Sequence, residues 1–181
     1  MKHYHPPHIY LDETIYFITA KTFFKTKFFD TDSKKKLLVK ILNEMASKFK
    51  MAIYGWVVLS DHYHLLIGIK DKKALAKFIK NFHGKSAFLL NKFDNLNKLR
   101  SPTRKKIWDN YWDRCIRSEK DFSIRLNYIH HNPIKHGYAK RMEDYNFSSY
   151  QHYLKKYGQP WLNDCFAKYP IIDFTPEKGL E

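Results

Sequence analysis

The sequence predicts an α+β domain built on an antiparallel sheet, with helices packed largely on one face. Three observations lead there. Short runs rich in β-branched and aromatic residues alternate with longer stretches whose apolar residues recur every three or four positions. Two of the strand-like runs, Met51 to Leu59 and His62 to Ile69, are separated only by Ser60 and Asp61. That break is too short for a helical crossover, so the two should pair antiparallel as a hairpin at the middle of the sheet. Finally, 44% hydrophobic and 17% aromatic residues against only 6 glycines describe a globular core rather than a disordered or repeat-built chain.

With 181 residues the chain is long enough for one domain with a proper core. We place that domain at residues 14–153, after a flexible leader over 1–13 and before an accessory C-terminal tail over 154–181. The leader holds His3, His5 and His8 around a Pro-Pro pair, a composition more typical of a leader than of a metal site. Thr14 to Ala20 reads as the first strand. Asp30, Thr31, Asp32 and Ser33 are N-cap candidates for a helix from Ser33 to Lys50, whose stripe is Leu37, Leu38, Ile41, Leu42, Met45 and Phe49. Its Lys34, Lys35, Lys36 and Lys40 are expected to face water. The hairpin follows, and then a helix from Asp71 to Phe93 that buries Leu75, Phe78, Ile79, Phe82, Leu89, Leu90 and Phe93, with Ser86 as a small residue on the stripe and Gly84 weakening its centre. The lysines on its remaining surface fit a solvated face or a DNA track equally well.

Asp94 to Lys106 loses periodicity and reads as a loop, and its Arg100, Arg104, Lys105 and Lys106 are the preferred phosphate contacts outside the active site. Ile107 to Arg117 returns to strand character. Of its large aromatics, Trp108, Tyr111 and Trp112, two in every three should be core and the remainder free to stack on bases. Ser118 caps the last helix of the domain, with Glu119 and Asp121 in its first turn. Phe122, Leu126 and Ile129 give its buried stripe, beside a face carrying Asp121, Arg125, Tyr128 and Asn132. Pro133 disfavours helical geometry at Asn132 and puts that residue at the end of the helix. Residues 138–153 should dock back as an irregular segment or short helix, and Pro160, Pro170 and Pro176 interrupt any long element in the tail.

The formal net charge of +15, from 33 Lys and Arg against 18 Asp and Glu, asks for a polyanionic partner, with nucleic acid first. A membrane surface is disfavoured because no basic amphipathic helix stands apart from the core pattern. Cys115 and Cys165 form no CxxC pair and fit a reducing compartment. With no apolar signal core at the amino terminus and no run of about 18 apolar residues, a cytoplasmic location is expected.

The chemistry concentrates in Leu59-Ser60-Asp61-His62-Tyr63-His64-Leu65-Leu66-Ile67 and Tyr128-Ile129-His130-His131-Asn132. On a strand His62 and His64 share one face and Tyr63 the other, so the two imidazoles form a clamp for a divalent ion. On a helix Tyr128 and Asn132 lie about 40° apart, one turn from each other, offering a nucleophile and an oxygen ligand. Metal charge on a phosphate and an in-line tyrosine are the working parts of phosphodiester transfer. Imidazole ligands suit Mn²⁺ and Zn²⁺, and an amide oxygen with open positions also permits Mg²⁺. His130, His131 and His136 read first as surface histidines and second as proton acceptors, and Asp61 as a turn residue.

Through these two segments and Asp144-Tyr145-Asn146-Phe147-Ser148-Ser149-Tyr150, over residues 14–153, the chain resembles the single-tyrosine HUH transposases, most closely the REP-associated branch. His-x-His alone is weak, but its ordered combination with Tyr-x-x-x-Asn-Pro and Ser-Ser-Tyr is specific. The resemblance implies a ferredoxin-like or RRM-like palm and a divalent cofactor, Mg²⁺ or Mn²⁺, on His62, His64 and Asn132. It further implies attack by Tyr128 on single-stranded or hairpin DNA to give a 5′-phosphotyrosine and a free 3′-hydroxyl, with later rejoining. Tyr63 is bulkier than the aliphatic residue usual between the histidines and should still fit an outward or second-layer face. We expect a monomer, with dimers known in the family. The rival functions are a nucleic-acid-binding protein on the same fold that does not cleave, and a zinc-dependent hydrolase that would use water in place of Tyr128.

Overall fold

The computed structural model of the chain describes residues 14–96 and 106–172. In chain order the elements are β1 (Thr14–Thr22), α1 (Asp32–Lys48), β2 (Ala52–Val58), β3 (His62–Ile69), α2 (Lys72–Leu96), β4 (Trp108–Cys115), α3 (Glu119–Lys135) and α4 (Tyr150–Lys168), with short 3-10 turns at Phe23–Lys25 and Met142–Asp144. The predicted α+β class and the element order through α3 are observed, but the tail, expected to hold no long element because of Pro160, carries α4, which runs through that proline with a break at Gly158 (φ +80°). The strands form one antiparallel sheet in the order β2-β3-β1-β4. The hairpin therefore does not occupy the middle: β3 is interior, but β2 is an edge strand, because β1 pairs with the far side of β3 and adds β4 beyond itself. Segment 147–149 covers that β2 edge, where the Val58 N–H donates to the Phe147 carbonyl and the Ser149 N–H to the Trp56 carbonyl.

Strand alternation divides the sheet into two faces. Tyr63 packs against Phe82 and donates or accepts at His83 Nε2 (2.9 Å), placing α2 on its side. His62 meets Asn132 and His64 meets Tyr128, placing α3 on the opposite side. Helices α1 and α2, which pack on each other, follow the expectation of one covered face; α3 is the exception and carries the site. Of the two places expected for Tyr63, outward or second-layer, it takes the second and is buried. A side chain at Gly55 would meet Leu126 Cδ1 at 2.7 Å, so the missing Cβ lets α3 lie close to β2.

Three local expectations fail for tertiary reasons. Lys36 and Lys40 face water, but Lys34 and Lys35 are buried. Lys34 Nζ is paired with Asp30 (2.9 Å) and Asp94 (3.1 Å), and Lys35 lies over the rings of Tyr138, Tyr145 and Phe147. Asp94, read as the start of a loop, belongs to α2 and is buried against that lysine, which is why the helix continues to Leu96. Pro133 does not end α3 either, since the helix runs to Lys135. The turn after it closes as a Schellman motif, with Tyr138 N–H donating to Pro133 O and Gly137 N–H to Ile134 O while Gly137 takes φ +71°. A proline three residues before the cap forfeits one N–H but keeps the carbonyl the cap needs, so Asn132 stays helical and its aim is fixed.

Candidate active site

His62 and His64 project from β3 toward α3, with ring centroids 5.2 Å apart. Each has its Nδ1 tied down. Asp61, immediately before the strand, accepts from His62 Nδ1 at 2.7 Å, and Thr19 Oγ1 on the neighbouring strand lies 2.8 Å from His64 Nδ1, as the register Thr19↔His64 requires. Burial pushes the Asp61 carboxyl up, but the hydrogen bond and charge of His62, with His136 adding, outweigh it and hold the group below its ordinary value as a carboxylate. Burial, reinforced by the nearby His62, His136, Lys135 and Lys21, holds His64 well below the usual imidazole range, so its ring is neutral at pH 7. Anchored at Nδ1, His62 presents Nε2 to Asn132 and His64 keeps Nε2 as the nitrogen not engaged by Thr19, the arrangement seen when a carboxylate or hydroxyl orients a ligating histidine.

Asn132 completes the cluster. It is fully buried, its Oδ1 is 3.2 Å from His62 Nε2, and its Nδ2 has no hydrogen-bond partner. With His62 Nδ1 donating to Asp61, a neutral His62 turns the lone pair of Nε2 toward the lone pairs of an amide oxygen. Two Lewis bases facing each other repel unless His62 is protonated, the amide turns over, or a cation lies between them. The spacing suits the last: adjacent ligands each about 2.1 Å from an octahedral ion stand about 3 Å apart. Among the described residues no cluster of three His, Cys, Asp or Glu side chains could hold a metal, so a third protein ligand beside His62 and His64 would have to be of another kind, and the Asn132 amide oxygen is the one that meets His62 Nε2.

Tyr128 lies one helical turn before Asn132, buried, with its ring 5.1 Å from that of His64 and 6.1 Å from that of Phe17. Lys135 Nζ sits 5.2 Å from the Tyr128 ring centre. The Arg125 guanidinium stacks on Phe17 at 5.1 Å while its Nε donates to Asp121 (3.3 Å). One cation thus lies over the Tyr128 ring and a second over the neighbouring Phe17, positive charge that a reaction at a phosphate would use. The structure brings His62, His64, Tyr128 and Asn132 together. Of the phosphate contacts expected in the loop, Arg100, Arg104 and Lys105 lie outside the described residues, as do His3, His5 and His8. Lys106 is exposed, 3.6 Å from Asp109 and over the Phe23 ring.

Of the three histidines near the tyrosine in sequence, only His136 stands at the site, exposed, with its ring 4.8 Å from that of His62. His131 is half-buried. His130 is not a surface residue at all: it is fully buried, its Nε2 is 3.1 Å from Ser149 Oγ, and burial pushes its pKa down to about 3. Sequence reading missed Thr19 and Asp61. Asp61 carried a usable signal, a carboxylate directly preceding the His-x-His pair, whereas Thr19 is identified only by cross-strand register.

A family model described as "Transposase IS200 like" matches residues 12–132. A Haemophilus influenzae protein named as a REP-associated tyrosine transposase is 29% identical over 149 residues, 72% of this chain and 81% of its own length. A REP-associated tyrosine transposase of Escherichia coli K12 is 28% identical over 126 residues, 68% of this chain and 66% of its own length. The solved structure of a REP-associated tyrosine transposase bound to a REP hairpin matches at TM-score 0.68 with 21% identity, covering 98% of this chain and 97% of that one, which is a likeness of fold. No helix among the described residues is long and apolar enough to cross a membrane.

Proposed function

Since the chain belongs to the IS200-like transposase family, we propose that it is a metal-dependent single-strand DNA endonuclease and strand transferase acting at hairpin-associated sites, with Tyr128 as nucleophile. The observation that carries this reading is the convergence of His62 Nε2 and Asn132 Oδ1 at 3.2 Å, beside His64 and one turn from Tyr128. A divalent ion, Mg²⁺ or Mn²⁺, held by His62, His64 and Asn132 would neutralise charge on the scissile phosphate. The fit rests on the donor set of two anchored imidazoles and a buried amide oxygen.

The chain's own residues account for the remainder. Helix α3 holds the Tyr128 phenol against Phe17 and His64, limiting the rotamers from which its oxygen can reach phosphorus. Attack forms the bond between Tyr128 Oη and the 5′-phosphate and expels a 3′-hydroxyl. The phosphotyrosine retains an ester that a second 3′-hydroxyl can attack in reverse, restoring the phenol and joining strands without a nucleotide cofactor. Lys135 and Arg125 are placed to favour the anionic phenolate and phosphate as charge develops. The hairpin ligand named for the structural relative, together with a net charge of +15, supports hairpin DNA as the partner.

The test is covalent capture. Wild-type protein incubated with a labelled DNA hairpin carrying single-stranded flanks and Mg²⁺ or Mn²⁺ should give an adduct that survives denaturation, and Tyr128→Phe should give none while binding the same DNA. Cleavage without an adduct would make the protein a hydrolase, and binding without cleavage a recognition module. An adduct retained in Tyr128→Phe would move the nucleophile to another tyrosine.

A further inference from the structure

Helix α3 covers only part of its face of the sheet. Register identifies what lies beside it: Thr19 on β1 is opposite both His64 on β3 and Trp112 on β4, and Phe17 is opposite Arg114. Directly paired residues share a face, so Trp112 and Arg114 belong to the same surface as His64 and Tyr128. Side-chain contacts agree, with the Trp112 ring 6.4 Å from Phe17 and Arg114 Nε 3.9 Å from Asp121 of α3. Lys21, opposite His62, joins them from β1.

The three large aromatics of this strand region differ sharply. Trp108 is buried, its indole N–H donating to Ser86 Oγ at 2.8 Å. Tyr111 is half-buried on the other face, with its ring 6.4 Å from that of His83. Trp112 is 42% exposed on the histidine face. The exposed part of its ring faces water, with Arg114 two residues along the same face and Lys21 on the neighbouring strand. The Asp121 carboxylate of α3 is engaged by Arg125 and Arg114.

We propose that this open β1–β4 surface is the track for the unpaired DNA strand leading to the active site, with Trp112 stacking on a base close to the scissile phosphate and Lys21 and Arg114 meeting phosphates on either side. The proposal rests on the nuclease reading above and adds to it a residue that selects unpaired over paired DNA, because only an unstacked base offers its face to an indole. The chemistry is sequence-tolerant, so Trp112 should govern the requirement for a single-stranded flank rather than the identity of its bases.

Binding at fixed salt should be compared for a blunt DNA hairpin and the same hairpin carrying a single-stranded extension, with wild type, Trp112→Ala and Trp112→Phe. Trp112→Ala should lose about 5- to 160-fold affinity for the extended hairpin, the range measured for one base–aromatic stack, and nothing for the blunt one. Trp112→Phe, which keeps a stacking ring, should bind the extended hairpin close to wild type. Tryptophan emission should be quenched by the extended hairpin in wild type and much less in Trp112→Phe, a comparison that isolates Trp112 from the other indoles even if the alanine variant folds poorly. Unchanged affinity in Trp112→Ala with equal quenching in wild type and Trp112→Phe would overturn the proposal, as would equal losses for both hairpins. Adduct formation on the same substrates separates the two ideas. An adduct with no Trp112 effect refutes the track alone, and a Trp112 effect with no adduct refutes cleavage while leaving the surface as a binding site.

Discussion

Helix α3 carries two buried asparagines five residues apart, and they face opposite fates. Asn127 looks away from the sheet, where its Nδ2 donates to the carbonyls of Cys165 (3.0 Å) and Tyr169 (2.7 Å) and fastens α4 to α3. Asn132 looks toward β3, where its Oδ1 confronts a histidine nitrogen and its Nδ2 has no partner. Both are nearly inaccessible, so burial does not tell them apart. Completeness of hydrogen bonding does. A buried amide with its donors engaged is an internal brace, and one left facing another Lewis base fits the ligand role proposed for it above.

The widest separation should come from truncating each. Asn132→Ala is expected to abolish adduct formation while leaving thermal stability close to wild type, since it removes a group that is poorly satisfied without an ion. Asn127→Ala strips the donor from two carbonyls and should cost about 1–3 kcal/mol of stability, with adduct formation per folded molecule preserved. Denaturant melts alongside trapping on a hairpin would check both. Loss of activity in Asn127→Ala without loss of stability would collapse the distinction.

A smaller effect should appear one layer out from the ligands. Thr19→Val keeps the shape of the residue but removes the oxygen at His64 Nδ1, and Asp61→Asn removes the charge that fixes the His62 tautomer. Each should weaken Mn²⁺ binding by about 10- to 100-fold, as loss of an orienting partner typically does, measured by calorimetry on protein without DNA. Metal affinity equal to wild type in both variants would show that the rings need no anchoring and that the two contacts serve the sheet.

The order of elements and the four residues at the site were legible because they depend on short-range pattern: alternation on a strand, a four-residue step on a helix, caps and turns. What escaped depended on partners distant in sequence. Lys34 looked solvent-facing because nothing local announces Asp94, and Pro133 looked like a stop because the Gly137 cap that rescues the last turn lies beyond it. His130 and His136 are equally polar on paper, yet one is enclosed by Tyr150 and Tyr153 and the other stands beside His62. Trp108 and Trp112 differ by four residues on a strand, which alternation alone would put on one face. A register shift between Ala20 and Thr22 sends the first into the core and leaves the second in the open.

The finest test concerns His130, on the braced side of α3 and two residues from the nucleophile. Burial holds it neutral in the folded protein with a pKa of about 3, while an unfolded histidine titrates near 6.5. Below about pH 6.5 the unfolded state therefore binds a proton that the folded state refuses, so stability falls as pH is lowered. The contribution is complete above that value and is lost progressively toward pH 3, at up to about 1.4 kcal/mol per pH unit. His130→Gln, which keeps an amide near Ser149, removes this titration. Its stability should therefore decline less steeply than wild type between about pH 6 and 4, whatever the offset at pH 7. Parallel curves would mean that His130 is protonated in the fold or that the acid sensitivity arises elsewhere. A shallower curve, with adduct formation at neutral pH unchanged, would assign His130 to the brace and leave the chemistry to the opposite face of the same helix.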